Sequence, residues 1–264
     1  MTHPWFAGAA APRVLAHRGL VTSDAAADGI VENSFGAFSE AHAAGIEYVE
    51  SDCHLTADGT VILFHDEDLR RVAGDPRRVA ELTLPELEDV MADRGGLVTL
   101  AQALEAFPTL RFNIDVKSDP AAVPAGRIVA PHADRVLLTS FSDRRRRAAL
   151  EAAAGADGRP ATSAGSGTVA RVIAAVAARS GRMVSRLLRG VDALQIPERR
   201  GGLRVLTPRL VSAAHANDVE VHVWTVNEAD RMSRLLDLGV DGIVTDRADV
   251  ALTVVSRREG TDRR

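Results

Sequence analysis

Gly242-Ile243-Val244-Thr245-Asp246 is a short apolar run that ends in a carboxylate. A strand apolar on both faces belongs in a parallel sheet covered by helices, not in a half-exposed antiparallel one. Working back from it, the pattern repeats. Glu228 to Leu238 reads as a helix, Val219 to Val226 as a strand, and Pro208 to Asn217 as a helix. Ala193 to Ile196 is another strand, preceded by a helical stretch over Thr168 to Leu188. Alternation of this kind predicts strand–helix units around a parallel sheet.

The N-terminal half continues the rhythm. Val14-Leu15-Ala16 is the first strand, and a helix opens near Asn33 and closes before Gly45. Tyr48 to Leu55 is the second strand. The turn Thr56-Ala57-Asp58-Gly59 follows, then a short returning strand over Val61 to Phe64. Thr83-Leu84-Pro85-Glu86 and Thr99-Leu100-Ala101-Gln102 both fit the capping box, in which a hydroxyl caps the helix and a Glu or Gln reaches back. Phe112 to Val116 and Arg135 to Ser140 are the third and fourth strands, and a short fifth falls near Pro160 to Ser163 within a Gly/Ala/Ser-rich stretch.

That makes eight strand–helix units in 264 residues. The expectation is an α/β fold, a (β/α)8 TIM barrel, which takes roughly 250 residues. It is read as one domain over residues 1–264, with its core at about 12–258 and a small insertion after the second strand. A doubly wound open sheet is the alternative, but no Gly-rich phosphate loop follows the first strand.

Composition narrows the function classes. Hydrophobic residues make up 46% and charged residues 26%, as in soluble globular proteins, and the net charge of −4 argues against a nucleic-acid surface. The lone Cys53 cannot form an intrachain disulfide, and Met1 to Pro12 does not read as a signal peptide. No apolar stretch is long enough for stable membrane insertion. The chain therefore reads as cytoplasmic. The run Arg144 to Arg147 reads as a solvated helix start.

In a (β/α)8 barrel the chemistry lies at the C-terminal ends of the strands. There the sequence places His17-Arg18-Gly19, Glu50 and Asp52, His65-Asp66, Asn113, Asp115 and Lys117, Ser140-Phe141, Gln195, then His222, Trp224 and Asn227, and finally Asp246. Alternation along a strand makes Glu50 and Asp52 point the same way, and likewise Asn113, Asp115 and Lys117. Three converging carboxylates repel one another and call for a cation; an all-oxygen set selects Mg2+ or Ca2+. His17 and His65 can exchange protons near neutral pH. With Arg18 gripping phosphoryl oxygens, the set suits phosphodiester cleavage. Lys117 offsets part of the negative charge or binds a phosphate oxygen. His54 shares a face with Asp52 and can line the site. Trp224 is either a barrel-mouth filler or a wall against substrate. His3, His42, His132 and His215 read as ordinary surface or packing residues.

Taken in order, His17-Arg18-Gly19, Glu32-Asn33, Glu50-Ser51-Asp52, Thr56-Ala57-Asp58-Gly59 and His65-Asp66 resemble the N-terminal signature of glycerophosphodiester phosphodiesterases, in the phosphatidylinositol phospholipase C-like phosphodiesterase superfamily. Asn113-Ile114-Asp115-Val116-Lys117, Ser140-Phe141, Gln195-Ile196-Pro197, Trp224-Thr225-Val226-Asn227 and Gly239 through Asp246 continue the likeness over nearly the whole chain. The resemblance implies a hydrolase of glycerol and lipid metabolism that converts a glycerophosphodiester to an alcohol and sn-glycerol 3-phosphate. It implies His17 and His65 as the acid–base pair, and Glu50, Asp52 and Asp115 as ligands of a divalent metal, Mg2+ or Ca2+. Arg18, Lys117 and Trp224 would meet substrate, with Glu32 and Asn33 in support. The neighbouring glycerol hydroxyl would attack first, giving a cyclic phosphate that water opens. The family usually has Glu where this chain has Asp115. That Asp–Lys pair is similar to the one in sphingomyelinase D-type phospholipases, so the alternative is phospholipase D-type cleavage of lysophospholipids or sphingolipids. An exposed aromatic rim for an acyl chain is not evident from the sequence, which is only 4% aromatic.

Overall fold

The computed structural model describes residues 3–8, 11–155 and 158–262. The strands are β1 (Arg13–His17), β2 (Tyr48–Leu55), β3 (Val61–Leu63), β4 (Arg111–Val116), β5 (Val136–Thr139), β6 (Ala193–Pro197), β7 (Arg199–Arg200), β8 (Leu203–Arg204), β9 (Glu220–Trp224) and β10 (Gly242–Thr245). The main sheet runs β5-β4-β2-β1-β10-β9-β6, and every neighbouring pair along it is parallel. The two ends, β5 and β6, are joined by residues 161–163. Ala161 bridges Leu137 and Ser163 bridges Ala193, both in parallel, so a short eighth strand curls the sheet into a (β/α)8 barrel. Leu138 N donates to Ala161 O at 2.8 Å on one side, and Ala164 N to Ala193 O at 3.0 Å on the other. The small side chains of Ala161 and Ala164 suit that closure. They also make the segment look like a loop by composition.

Inside the barrel Leu15, Tyr48, Leu137, Ala161, Ala193 and Val244 pack together with Trp5 and Phe6. Trp5 is fully buried and donates its indole N–H to Phe112 O at 3.0 Å. Trp5 and Phe6 thus plug the N-terminal end of the barrel. A second charged layer sits beside the plug. Arg13 is clamped to Glu220 at 2.7 and 2.8 Å, and fully buried His222 shares Glu220 at 2.9 Å. Burial opposes ionisation of Glu220, but the bonds from Arg13 and His222 outweigh it and hold the carboxyl down at about 2.

Outside, helices cover the sheet through an apolar layer that includes Phe38, Leu104, Phe112, Val129 and Met232. Both capping boxes form: Thr83 N donates to Glu86 and Thr99 N to Gln102. Three local readings change. The helix Phe35–Ala43 is capped by Ser34, whose Oγ accepts from Ala37 N at 3.1 Å, while Asn33 turns inward in a left-handed conformation. The stretch 168–188 is two helices, Ser166–Ala177 and Gly181–Leu187, broken where Arg179 takes φ 55°. The arginine run is not uniformly solvated, because Arg146 is buried against Asp143 and Thr162.

After β2 the chain turns back as β3, antiparallel to β2. The residues that follow build a small core of their own, with Phe64, Leu69, Val79, Leu82, Leu87 and Met91 around Ile62.

Replacing Trp5 by alanine would empty the barrel floor and strip a donor from Phe112 O. The expected loss is about 3–5 kcal/mol, measured by urea unfolding. For Glu220→Gln the expected effect depends on pH. A carboxylate with a depressed folded-state pKa stabilises above its unfolded value and stops doing so as pH falls. The melting-temperature gap between wild type and variant should therefore be full at neutral pH and shrink as pH drops from about 4.5 toward about 2. A gap independent of pH would contradict this account of the Arg13–Glu220–His222 layer.

Candidate active site

Strand register gathers the polar residues. On β1 and β2, His17 stands beside Glu50; on β2 and β4, Glu50 stands beside Asn113 and Asp52 beside Asp115. All four of these β2 and β4 side chains are buried. Lys117, one residue past β4, lies between the two aspartates, with Nζ 2.6 Å from Asp52 and 2.9 Å from Asp115. Burial works against its charge, but the two carboxylates more than compensate and raise its pKa. Its ammonium also sits over the Phe141 ring at 5.4 Å.

Burial, then the charges of Asp52 and Asp115, push the Glu50 carboxyl well above the usual carboxylate range. Asp115 is raised as well, by burial against the pull of Lys117. Glu50 Oε2, Asp52 Oδ2, Asp115 Oδ1 and Asn113 Oδ1 are all buried without a hydrogen-bond partner. Unpaired buried oxygens are costly unless something completes them. Four hard oxygen donors around one end of the barrel fit a divalent cation of the Mg2+ or Ca2+ type. Among the described residues, no three His, Cys, Asp or Glu side chains are drawn close enough to hold an ion as they stand. Lys117 supplies the balancing charge between two of them.

Each histidine is held through Nδ1 by its own aspartate. His17 Nδ1 lies 2.6 Å from Asp246, leaving Nε2 facing Glu50 at 3.7 Å. Asp246 is fixed in turn by Asn227, which donates from its amide at 2.8 Å and accepts from Asp246 N at 3.0 Å. The bond from His17, with Asn227 adding to it, keeps the Asp246 carboxyl below the usual range. His65 Nδ1 lies 2.7 Å from Asp66, and Arg71 grips the other oxygen of Asp66 at 2.6 Å. Burial opposes the Asp66 charge, but His65 and Arg71 together lower its pKa.

Arg18 takes φ 59° and Gly19 φ 90°, so the chain turns sharply off β1. Only glycine fits at 19, since a Cβ there would meet Ala37 Cβ at 2.7 Å. The turn sends Arg18 into the site. Its Nη1 donates to Glu32 at 3.1 Å and its Nε lies 3.5 Å from Asp52, buried and without a hydrogen bond. Arg71 also binds Glu32, at 2.5 Å. Burial resists the charge on Glu32, but Arg71 and Arg18 prevail and lower its pKa. Asn33 stays beneath, accepting from Ser51 Oγ at 2.7 Å while its backbone N donates to Arg18 O.

The opposite wall is aromatic and uncharged. Trp224 packs edge-on against Phe141 at 5.6 Å, and Phe141 is 51% exposed. The sequence reading expected no exposed aromatic; this one stands just past β5, where a strand end leaves its side chain in solvent. His54 does not open onto the site. It is buried, its Nε2 lies 3.2 Å from His65 O, and burial lowers its pKa. Asp246, Asn227, Asp66 and Arg71 carry contacts that the sequence reading assigned to no residue. A carboxylate following a strand that borders a His-bearing strand was the available signal for Asp246. Arg71 lies in the insertion, where no periodicity points inward.

The glycerophosphoryl diester phosphodiesterase family profile matches residues 17–250. A Mycobacterium tuberculosis protein named "Probable glycerophosphodiester phosphodiesterase 2" is 38% identical over 248 residues, covering 92% of this chain and 90% of that relative. A human lysophospholipase D, GDPD1, is 34% identical over 101 residues, 33% of this chain and 32% of its own length. The structure of an Oleispira antarctica phosphodiesterase in complex with the product sn-glycerol-3-phosphate superposes with a TM-score of 0.69 at 20% identity, over 93% of this chain and 97% of that one. With the family profile matching residues 17–250 and a relative 38% identical over 92% of the chain, the chain belongs to the glycerophosphoryl diester phosphodiesterase family.

Proposed function

We propose that the protein hydrolyses glycerophosphodiesters to an alcohol and sn-glycerol 3-phosphate, with a divalent metal, Mg2+ or Ca2+, and with His17 and His65 as the acid–base pair. The observation that carries this reading is the pair of histidines, each pinned by a carboxylate at Nδ1, beside a buried set of three carboxylates, a lysine and an arginine. Pinning Nδ1 fixes the tautomer and leaves Nε2 to move a proton.

In the first step one histidine takes the proton of the substrate's neighbouring glycerol hydroxyl as that oxygen attacks phosphorus. The other gives a proton to the departing alcohol oxygen as its P–O bond breaks. The attack is intramolecular and gains from high effective molarity. Water then opens the cyclic phosphate with the two histidines in reversed roles. Arg18 and Lys117 would hold the phosphoryl oxygens and stabilise charge that grows on them. A divalent ion held by Glu50, Asp52 and Asp115 would add electrostatic stabilisation of the same oxygens. Glu32 keeps Arg18 extended, Asn33 supports that turn, and Trp224 walls the alcohol side.

A second reading, phospholipase D-type cleavage of lysophospholipids, is favoured by one observation, the half-exposed Phe141 against Trp224. Assaying lysophosphatidylcholine beside glycerophosphocholine separates the two.

His17→Ala and His65→Ala should each lower kcat by about 100- to 10,000-fold, read as sn-glycerol 3-phosphate release. Chelation should abolish release, and Mg2+ or Ca2+ should restore it; full activity after chelation would sink the metal-dependent reading. Asp246→Asn should lower kcat by about 100-fold or more with little change in KM, because it loosens the tautomer and not the substrate. A change confined to KM would instead place Asp246 in substrate binding.

A further inference from the structure

Beyond β6 the chain does not enter its helix directly. It first forms a hairpin, β7 and β8, paired antiparallel and separate from the barrel sheet. The base is firm. Val205 N and Leu206 N both donate to Glu198 O, and the side chains of Val205 and Leu206 are buried. Gly201, at φ 57°, makes the turn, and Arg199 closes it with a bond to Gly202 O at 3.1 Å.

Everything beyond that base faces solvent. Arg199, Arg200, Leu203 and Arg204 are exposed, and Leu203 at 66% shows more of itself than any other large apolar residue described. From Glu198 to Arg209 the chain holds four arginines and one carboxylate. That carboxylate, Glu198, is already bound by Arg231 at 2.8 Å. Arg200 and Arg204 have no side-chain partner among the described residues, and Arg199 binds only the backbone of its own turn. An exposed leucine flanked by uncompensated arginines matches a surface of anionic head groups over an apolar layer.

Its position gives the match a use. Pro197, at the C-terminal end of β6, stands in register with Trp224 of β9, so the hairpin springs from the rim of the active-site mouth. Phe141, the exposed aromatic against Trp224, lies on the same arc. We infer that the 199–204 hairpin is a peripheral membrane contact: its arginines engage anionic phospholipid head groups and Leu203 enters the interface, turning the active-site mouth toward the bilayer. No helix among the described residues is long and apolar enough to cross a membrane, so the contact is reversible and lies on the surface. The inference stands apart from the reaction proposed above, because vesicle binding and diester hydrolysis are scored separately.

The test uses the full chain, sedimented with vesicles of pure phosphatidylcholine and with vesicles in which about a third of the lipid is phosphatidylglycerol. Wild type should partition to the anionic vesicles and release as NaCl rises, because exposed charges are screened. Arg200→Ala/Arg204→Ala should weaken partition about 25-fold, from about fivefold per arginine. Leu203→Ser should weaken it without altering the salt dependence. Both variants should hydrolyse glycerophosphocholine at the wild-type rate, which also shows that they fold. Equal partition to neutral and anionic vesicles overturns the inference, as does wild-type binding by the double variant. So does wild type that ignores vesicles but binds duplex DNA, or a double variant that binds vesicles normally yet loses soluble diester hydrolysis.

Discussion

The Lys117 ammonium between Asp52 and Asp115 is the contact on which the catalytic end of the barrel depends. Parallel register forces those two aspartates side by side on adjacent strands, with Glu50 one step below and buried. Three carboxylates in a low-dielectric barrel would protonate or push the strands apart. One cation inserted between two of them moderates that repulsion, while burial first and the neighbouring carboxylates after it keep Glu50 and Asp115 above the usual range. The site is held at a compromise that favours whatever positive charge can reach it. Removing Lys117 would leave buried charges unpaired, which is more damaging than never having had the pair.

The same register assigns the remaining roles. Because His17 pairs with Glu50, and Asp246 follows the strand on the far side of β1, the imidazole is caught between a clamp and the carboxylate cluster. His65 is reached by another route. It follows β3, which is antiparallel to β2, so a short hairpin brings it back to the strand end where Asp52 stands. Its clamp, Asp66, is its chain neighbour, and Arg71 ties that clamp to Glu32 and through it to Arg18. His65 is therefore tied to Arg18 through one continuous set of charges that ends against Asp52, while His17 is held separately by Asp246.

Much of this was legible from residues alone. Apolar runs of strand length, spaced by helices, led to the barrel, and the carboxylates and histidines were visible because strand ends are where polar residues are least needed for packing. The closing strand read near Pro160 to Ser163 forms at residues 161–163, but against a loop-like composition, since only Thr162 among Ala161, Thr162 and Ser163 is β-branched. What could not be read has a physical cause in each case. Asn33 looks like a helix cap, yet Ser34 caps and Asn33 turns inward, because Ser51 beneath it offers a hydroxyl. Trp5 lies ahead of the first periodic element, and its burial depends on the barrel floor being open to receive it. Arg71 comes from a segment whose small core forms around Ile62 and Phe64, a tertiary outcome without sequence periodicity.

The mouth is divided into two arcs. On β1, β2 and β4 the inward side chains near the top are His17, Glu50, Asp52, Asn113 and Asp115, all but Asn113 charged or a proton carrier. Near the top of β5, the 161–163 segment, β6 and β9 the inward residues are neutral; the charged Glu220 lies at the opposite end of β9. The Thr139 and Ser163 hydroxyls pair at 2.5 Å, Gln195 lies 3.3 Å from His222, and Trp224 meets Phe141 above them. A phosphodiester has the same asymmetry, a charged centre with a neutral or apolar substituent. Only one orientation puts the phosphate against Arg18 and Lys117 without burying it beside uncharged groups, since an unpaired anion there would be heavily penalised. On the proposed function the substituent would then cross Trp224 toward Phe141. Charge segregation around the barrel, more than any single contact, would then decide which end of the substrate faces the histidines and which faces the rim.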